Sequence, residues 1–453
     1  MVKIIYHILT CPNQFVQLCE SMSEKTYQET LDYIYHLVPS YQEIGDKAIK
    51  PNLDNIIQLC AHLGHPQDAY PSIHVAGTNG KGTTAHIIAS ILQAAGYSVG
   101  LYTSPHYMDF RERIKVDGKV MKEKQVIKFV ETHQESIIKI RPSFFEVTVA
   151  MAFDYFGKKD VDFAVIETGL GGRLDSTNIL LPILSVITHI SLDHQHILGP
   201  DVYTISQEKA GIIKYGIPVV VGRHQPACDH AFMKRAEELE ARLNFASLEV
   251  EVSHQEGGLD FVTEQSSYTI QKEAAEPFFI ENASTAIRAI EVLSHDEDII
   301  ITRDNICMGL ANYRKLSSYI GRWTIHQTMP KVISDSAHNA AAFKKILSQL
   351  HSISTGRIHF VLGFIRGKDI KSMLSLLDPS HLYYLTKPQP DRGMSVDELS
   401  KIATSLGLVH TAHDNVATAM AVALDQAAEE DIIYVGGSSY IVGDLLSFFH
   451  SKA

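Results

Sequence analysis

The stretch HVAGTNGKGTTAH, His74 to His86, sets Gly77, Gly80, Lys81, Gly82 and Thr83 between an apolar run and a helical one. A glycine-rich turn at such a junction aims backbone N–H groups and the positive end of a helix at an anion. Lys81 would neutralise phosphate charge there, and the Thr83 hydroxyl would reach a phosphate or a bound Mg²⁺. The spelling departs from the usual nucleotide loop, where four residues precede Gly-Lys and Ser or Thr follows at once. Here two residues separate Gly77 from Gly80, and Gly82 stands between Lys81 and Thr83. A plain tight turn is the alternative, but Lys81 and Thr83 together favour phosphate.

Four further stretches carry polar groups to strand ends. In DFAVIETGLGGRLDSTN, Glu167 closes an apolar run, where open α/β sheets place ligand sites and where a carboxylate can bind Mg²⁺. It could equally cap the next segment or pair with an arginine; Gly169, Gly171, Gly172, Arg173 and Asp175 then make a polar loop. LSVITHISLDHQHILG brings Asp193, His194 and His196 to a second strand end. Alone, His194 reads as an ordinary loop histidine; beside Glu167 it suggests a Mg²⁺ cluster, although imidazole is an unusual magnesium ligand. In SPHYMDFRERIKVDG, Ser104 ends a strand and Arg111 and Arg113 read as a solvated positive face. KVISDSAHNAAAF places Asp335 and His338-Asn339 between strand and helix, with Asp335 either an N-cap or a reach toward a nucleotide.

The elements that position these groups follow from apolar periodicity. Thr26–Leu37 and Leu53–Gly64 read as amphipathic helices, and TTAHIIASILQAAG as a helix ending at Gly96. Strands are expected in SIHVAG, SVGLYTS, DFAVIET, LSVITHI and PVVVG. Such alternation predicts a mostly parallel sheet with helices on both faces. HQEGGLDFVTEQSSYTIQ reads as a small hairpin-like β excursion, and ENASTAIRAIEVLS as helix. A second strand–helix series runs through KVISDS, AAFKKILSQLHSI, RIHFVLGF, LYYLTK and DIIYVGGS. The predicted architecture is α/β: a P-loop-type domain over 1–320 with an N-terminal helical extension, and a smaller Rossmann-like domain over 321–453.

With 453 residues, two domains are the natural expectation. A composition 45% apolar and 20% charged is that of a globular enzyme, and a net charge of -12 argues against binding nucleic acid or anionic membrane. Cys11, Cys19, Cys60, Cys228 and Cys307 form no CxxC pair, which fits a reducing cytoplasm and gives no zinc site. No apolar run approaches the ~20 residues of a membrane span. The stretch before Met22 has no small-residue cleavage site and reads as a dispensable extension or a displaced start.

Taken in order, GTNGKGTT, LYTSPH, ERI, IETGLGGRLDSTN, LDHQHILG, EKAGIIK, DSAHN and GGSSYIVGD resemble the folylpolyglutamate synthase/dihydrofolate synthase family of the Mur-ligase superfamily. The resemblance covers nearly the whole chain after about Ser23, and the short loop with Gly82 is that family's form. It implies an ATP-dependent, ADP-forming ligase adding L-glutamate to dihydropteroate or reduced folates through an acyl phosphate, as a cytoplasmic monomer. It implies a nucleotide loop at Asn79, Gly80, Lys81, Gly82 and Thr83, and Mg²⁺ ligands at Ser104, Glu167 and His194 with Thr83. It implies a carbamoylated Lys209, ATP contacts at Asn282, hinge Arg322 and Asp335, and pteroate contacts at Ser143, Phe144, Phe145, Glu146, Leu174, Asp175 and Ser176. Lys81, Lys209 and His194 would carry the catalysis.

The chain departs from the family in FFIENAST before Asn282, in Ser336 within DSAHN, and in FIRGKD. Arg173 and Asp175 resemble the loop of members that accept both substrates; a loop-capping Asp175 is the other reading. Another Mur-type ligase and a P-loop ATPase or binding module remain the competing functions.

Overall fold

Ser72–Ala76, Phe163–Glu167 and Leu184–Ile187 are buried along their whole length, the pattern of strands covered on both faces. They form the centre of an eight-stranded sheet. Its strands are β1 (Ser72–Ala76), β2 (Val99–Tyr102), β3 (Ile114–Val116), β4 (Lys119–Val120), β5 (Phe163–Glu167), β6 (Leu184–Ile187), β7 (Val219–Val221) and β8 (Leu243–Phe245). The spatial order is β4-β3-β2-β5-β1-β6-β7-β8, parallel except for β3 and β4 at one edge. The protein is described by a computed structural model covering residues 26–37, 52–271, 276–295, 298–389 and 393–450. The extension before Met22, Cys11 and Cys19 lie outside the described residues.

Side chains alternate across β1. Ile73 and Val75 face a core shared with the helices Lys81–Ala94, Phe279–Leu293 and Arg303–Leu316. Behind the opposite face, Tyr102 and Ile166 pack with Phe153 and Phe156 of the helix Phe144–Lys159. Each such large side chain contributes about 2 kcal/mol by leaving water. The chain leaves β1 toward β2 on the β5 side, and β6 lies on the other side of β1, so the loops after β1, β5 and β6 share one rim.

A three-stranded antiparallel sheet follows: β9 (Glu251–Gln255), β10 (Gly258–Val262) and β11 (Ser267–Gln271). It is one strand larger than the expected hairpin. The last sheet comprises β12 (Thr324–Thr328), β13 (Lys331–Asp335), β14 (Ile358–Leu362), β15 (Leu382–Thr386), β16 (His410–His413) and β17 (Ile432–Gly436), in the order β12-β13-β17-β14-β15-β16. Only the β12–β13 pair is antiparallel. Its two faces carry separate cores, one around Phe360 and Tyr434 and one around Val361 and Ile433. Strands β3, β4, β8, β12 and β16 escaped the sequence reading because they are short or polar edge strands without a continuous apolar run. No helix among the described residues is long and apolar enough to cross a membrane.

Candidate active site

The rim loops open into a cleft of about 700 Å³ between the two large sheets. Its floor is the turn after β1. The backbone N–H groups of Thr78 and Asn79 donate to the His189 carbonyl after β6, at 2.9 and 3.3 Å, which ties the turn to the neighbouring strand end. Gly80 caps the helix Lys81–Ala94 with φ 91°, and a Cβ there would sit 2.2 Å from Asn282 Oδ1. Gly82 explains the unusual spelling: a Cβ would lie 3.3 Å from Glu167 Oε2, so a side chain after Lys81 would crowd the carboxylate.

Lys81 lies 4.0 Å from Glu167 and donates only a long 3.4 Å bond to the Thr78 carbonyl. Glu167 is buried; one oxygen accepts from the Ser104 backbone N–H at 3.0 Å. Burial raises its pKa, against the opposing pull of Lys81. Thr83 shares a 2.6 Å hydrogen bond with the Tyr319 hydroxyl.

Lys209 arrives from the helix Val202–Ala210, whose first turn is capped by Asp201 accepting from Thr204 N–H. Its Nζ is buried and donates to the Gly77 carbonyl at 2.7 Å, 132 residues away in sequence. Desolvation, with the charge of Lys81, lowers its pKa to about 7. An ordinary lysine at this spacing would lie in solvent; tertiary packing brings this one under the turn.

His194 lines the cleft, but its Nε2 stands 3.1 Å from Lys368 Nζ of the second sheet's loop. Burial and that ammonium lower its pKa to about 3, so it is a neutral acceptor. Lys368 also donates to Asp193, whose other oxygen meets His338 Nε2 at 3.2 Å. Burial opposes ionisation of Asp193, yet His338 and Lys368 hold its pKa well below the usual carboxylate range. Among the described residues, no three His, Cys, Asp or Glu side chains gather closely enough to hold a metal ion.

The remaining expected residues have distinct placements. Asn79 donates to Ser191 Oγ (3.0 Å) and accepts from Asn339 Nδ2 (2.9 Å), joining the turn to the second sheet. Asn282 lies behind the turn, its amide oxygen accepting from Thr84 Oγ1 at 3.3 Å. Arg322 stands in the cleft wall, 3.7 Å from Asp335. Asp335 is buried and accepts from the N–H groups of Trp323 (2.9 Å) and Ala337 (2.7 Å), so it shapes the second sheet's entry; the N-cap of the next helix is Asn339.

Ser143 and Glu146 form a reciprocal capping box that starts the helix Phe144–Lys159, so both polar side chains serve the helix end. Phe144 stacks on Tyr35 at 4.7 Å, and the Phe145 ring lies against Gly169. Asp175 is buried and accepts from Leu170 N–H (2.8 Å), Thr177 N–H (3.0 Å) and the Thr177 hydroxyl, as the capping alternative held. Leu174 and Ser176 line the cleft beside it. Arg173 pairs with Glu208 at 2.9 Å.

Arg113 departs from the solvated face expected of it. It is buried, donates to His106 Nδ1 at 2.8 Å and lies over the Phe144 ring. Sequence reading also missed Tyr319 and Lys368. Lys368 lies in FIRGKD, read only as a departure from the family; nothing in the spacing pointed at Tyr319.

Residues 75–290 match the Mur ligase middle domain, and residues 321–439 match the Mur ligase, glutamate ligase domain. The chain is 35% identical over 344 residues to the dihydrofolate synthase/folylpolyglutamate synthase of Bacillus subtilis, spanning 73% of this chain and 79% of that protein. It superposes on E. coli FolC in complex with DHPP and ADP with a TM-score of 0.82 at 30% identity, over 94% of this chain and 98% of that one. A bifunctional folylpolyglutamate synthase/dihydrofolate synthase with Mn, AMPPNP and L-glutamate bound gives a TM-score of 0.81 at 28% identity, over 94% and 98% of the two chains.

Proposed function

The chain belongs to the folylpolyglutamate synthase/dihydrofolate synthase family, and we propose how its own residues perform the ATP-dependent addition of L-glutamate. It is an ADP-forming amide ligase acting on dihydropteroate or on the glutamyl tail of reduced folates. The observation that carries our assignment of residues is the convergence of Lys81, Glu167 and Lys209 on one cleft whose far wall is the loop around Lys368.

A carboxylate does not condense with an amine at neutral pH because oxide is a very poor leaving group. Phosphoryl transfer from ATP gives an acyl phosphate; the glutamate α-amine then attacks its carbonyl, and phosphate leaves. The first step brings a carboxylate to a triphosphate, so charge neutralisation and positioning dominate the catalysis. Lys81 supplies positive charge from a side chain held only loosely by the protein. The N–H groups of the first turn of the helix Lys81–Ala94, with its positive end, cradle phosphate oxygens.

The oxygen donors Thr83, Ser104 and Glu167 suit a hard divalent cation, and a buried, half-satisfied Glu167 carboxylate is stabilised by one. We assign these three as the residues that hold Mg²⁺, which when bound offsets triphosphate charge. His194 joins them only if Lys368 withdraws from its Nε2. Lys209 is a site for carbamate formation: its neutral amine adds CO₂, an N–C bond forms and a proton leaves, turning a cation into an oxygen anion. The lowered pKa supports this reading. Residues Phe144, Phe145 and Leu174 offer the apolar wall for a pterin, with the loop shape fixed by Asp175.

The enzyme works as a monomer in the cytoplasm, divided near Gly321, and accepts both dihydropteroate and reduced folates. The test is ADP release by purified protein with ATP and glutamate, and with dihydropteroate or tetrahydrofolate in turn. Release that requires glutamate and either acceptor is the expected result. Release without any acceptor would leave a nucleotide hydrolase, and no turnover of dihydropteroate would leave a folate-only enzyme.

A further inference from the structure

The strap Ser317–Trp323 carries the chain from the helix Arg303–Leu316 to β12, and the first sheet's side holds it at many points. Lys115 donates to the carbonyls of Ser317 (3.4 Å) and Ser318 (2.8 Å), and His86 Nδ1 meets Ser317 Oγ at 2.7 Å. Arg314, itself paired with Glu276, donates to the carbonyls of Arg322 (2.6 Å) and Trp323 (3.2 Å). Tyr319 lines the cleft together with Ile320 and Arg322 of the same strap. Its ring is clamped by His86 (centroids 4.7 Å), by Tyr313 (5.3 Å) and by the Arg314 guanidinium (5.1 Å). The hydroxyl of this fixed ring meets Thr83 Oγ1 at 2.6 Å.

A threonine in a helix has two accessible rotamers, because its hydroxyl can turn back to the carbonyl three or four residues earlier. For Thr83 those carbonyls are Gly80 and Asn79, inside the phosphate turn. Thr84 shows the competition for polar partners there, since its hydroxyl goes to Asn282. A rigid acceptor or donor on the cleft side removes that choice for Thr83. We propose that Tyr319 is a positioning residue for the nucleotide site, holding the Thr83 hydroxyl toward the cleft so that its lone pair meets a divalent cation. The strap thereby sets a detail of the phosphate turn 236 residues away from it in sequence.

This inference rests on Gly77–Thr83 being the phosphate site, a reading that fails separately if Lys81→Ala binds ADP as the unmodified protein does. The test is Tyr319→Phe in the full-length chain, which keeps the clamped ring and removes one oxygen. Calorimetric titration of ADP should weaken about three- to tenfold with Mg²⁺ present, the worth of one hydrogen bond, and change little without metal. KM for ATP should rise by a similar factor, with the folate KM unchanged. In a Thr83→Val background the same substitution should make no further difference, since the effect passes through Thr83. Unchanged ADP binding with Mg²⁺, an equal loss without metal, or an equal loss in Thr83→Val would each overturn the proposal. So would a drop in melting temperature with all affinities falling together.

Discussion

Two glycine-rich loops leave adjacent strands of the first sheet, Gly77–Gly82 after β1 and Gly169–Asp175 after β5, and they use their polar groups in opposite ways. In the first, glycines clear space around Asn282 and Glu167, and Lys81 is left with long, weak contacts. In the second, Asp175 commits both oxygens to N–H and hydroxyl groups of its own loop, and Arg173 is tied to Glu208. The first loop keeps charge available for a ligand; the second consumes charge to hold its shape, with Leu174 lining the cleft and Phe145 against Gly169. Position at the rim therefore does not by itself make a polar residue a ligand contact; the state of its hydrogen bonds does.

Four substitutions would break or sharpen this contrast. Lys81→Ala should lower turnover by about 100- to 1,000-fold with no change in melting temperature, because it removes transition-state charge and little buried apolar area. Near-normal turnover at saturating ATP would take Lys81 out of the mechanism. Lys209→Ala should be nearly inactive as well, and formate or acetate should restore part of the rate by occupying the vacated carbamate position; full activity without added acid would refute the assignment.

The Lys209 amine gives this second variant a pH companion. An ordinary lysine titrates near 10.4, whereas here desolvation brings it to about 7. Only the neutral amine adds CO₂, so reactivation of CO₂-stripped enzyme by bicarbonate should fail as pH falls below about 7 and improve above it. A rate flat through that range would mean that Lys209 is not the group modified.

In the second loop, Asp175→Ala should cost about 1–3 kcal/mol of stability by orphaning buried N–H groups, and should raise KM for the pterin-bearing substrate more than KM for ATP. An ATP-only effect would contradict a role in loop shape. Arg173→Ala should be the mildest. Its side chain is 56% exposed, and a surface ion pair contributes at most about 1 kcal/mol. A loss of dihydropteroate turnover alone would show that Arg173 reads the acceptor after all.

Much of the molecule was legible in the residues because the constraints are local. A strand buried on both faces reads as a near-continuous apolar run, as in β5 and β7, and a turn with φ 91° at residue 80 favours glycine. Edge strands such as β12 and β16 were not legible, since half-exposed strands carry no apolar signature. The segments expected to meet substrate line the cleft, yet Glu146 and Asp175 serve a helix cap and a loop, tasks their spacing equally allows.

The sequence by itself determined the order of the buried elements, the glycine-rich turn after β1 and the rim on which Glu167 and His194 lie, because backbone sterics and apolar periodicity act over a few residues. Only the tertiary structure decided that Lys209 reaches the Gly77 carbonyl, that Lys368 faces His194 and that Tyr319 fixes Thr83. Those partners are separated by 132, 174 and 236 residues. A hydrogen bond depends on where two side chains end in space, and over such separations that is set by the packing of whole sheets against each other.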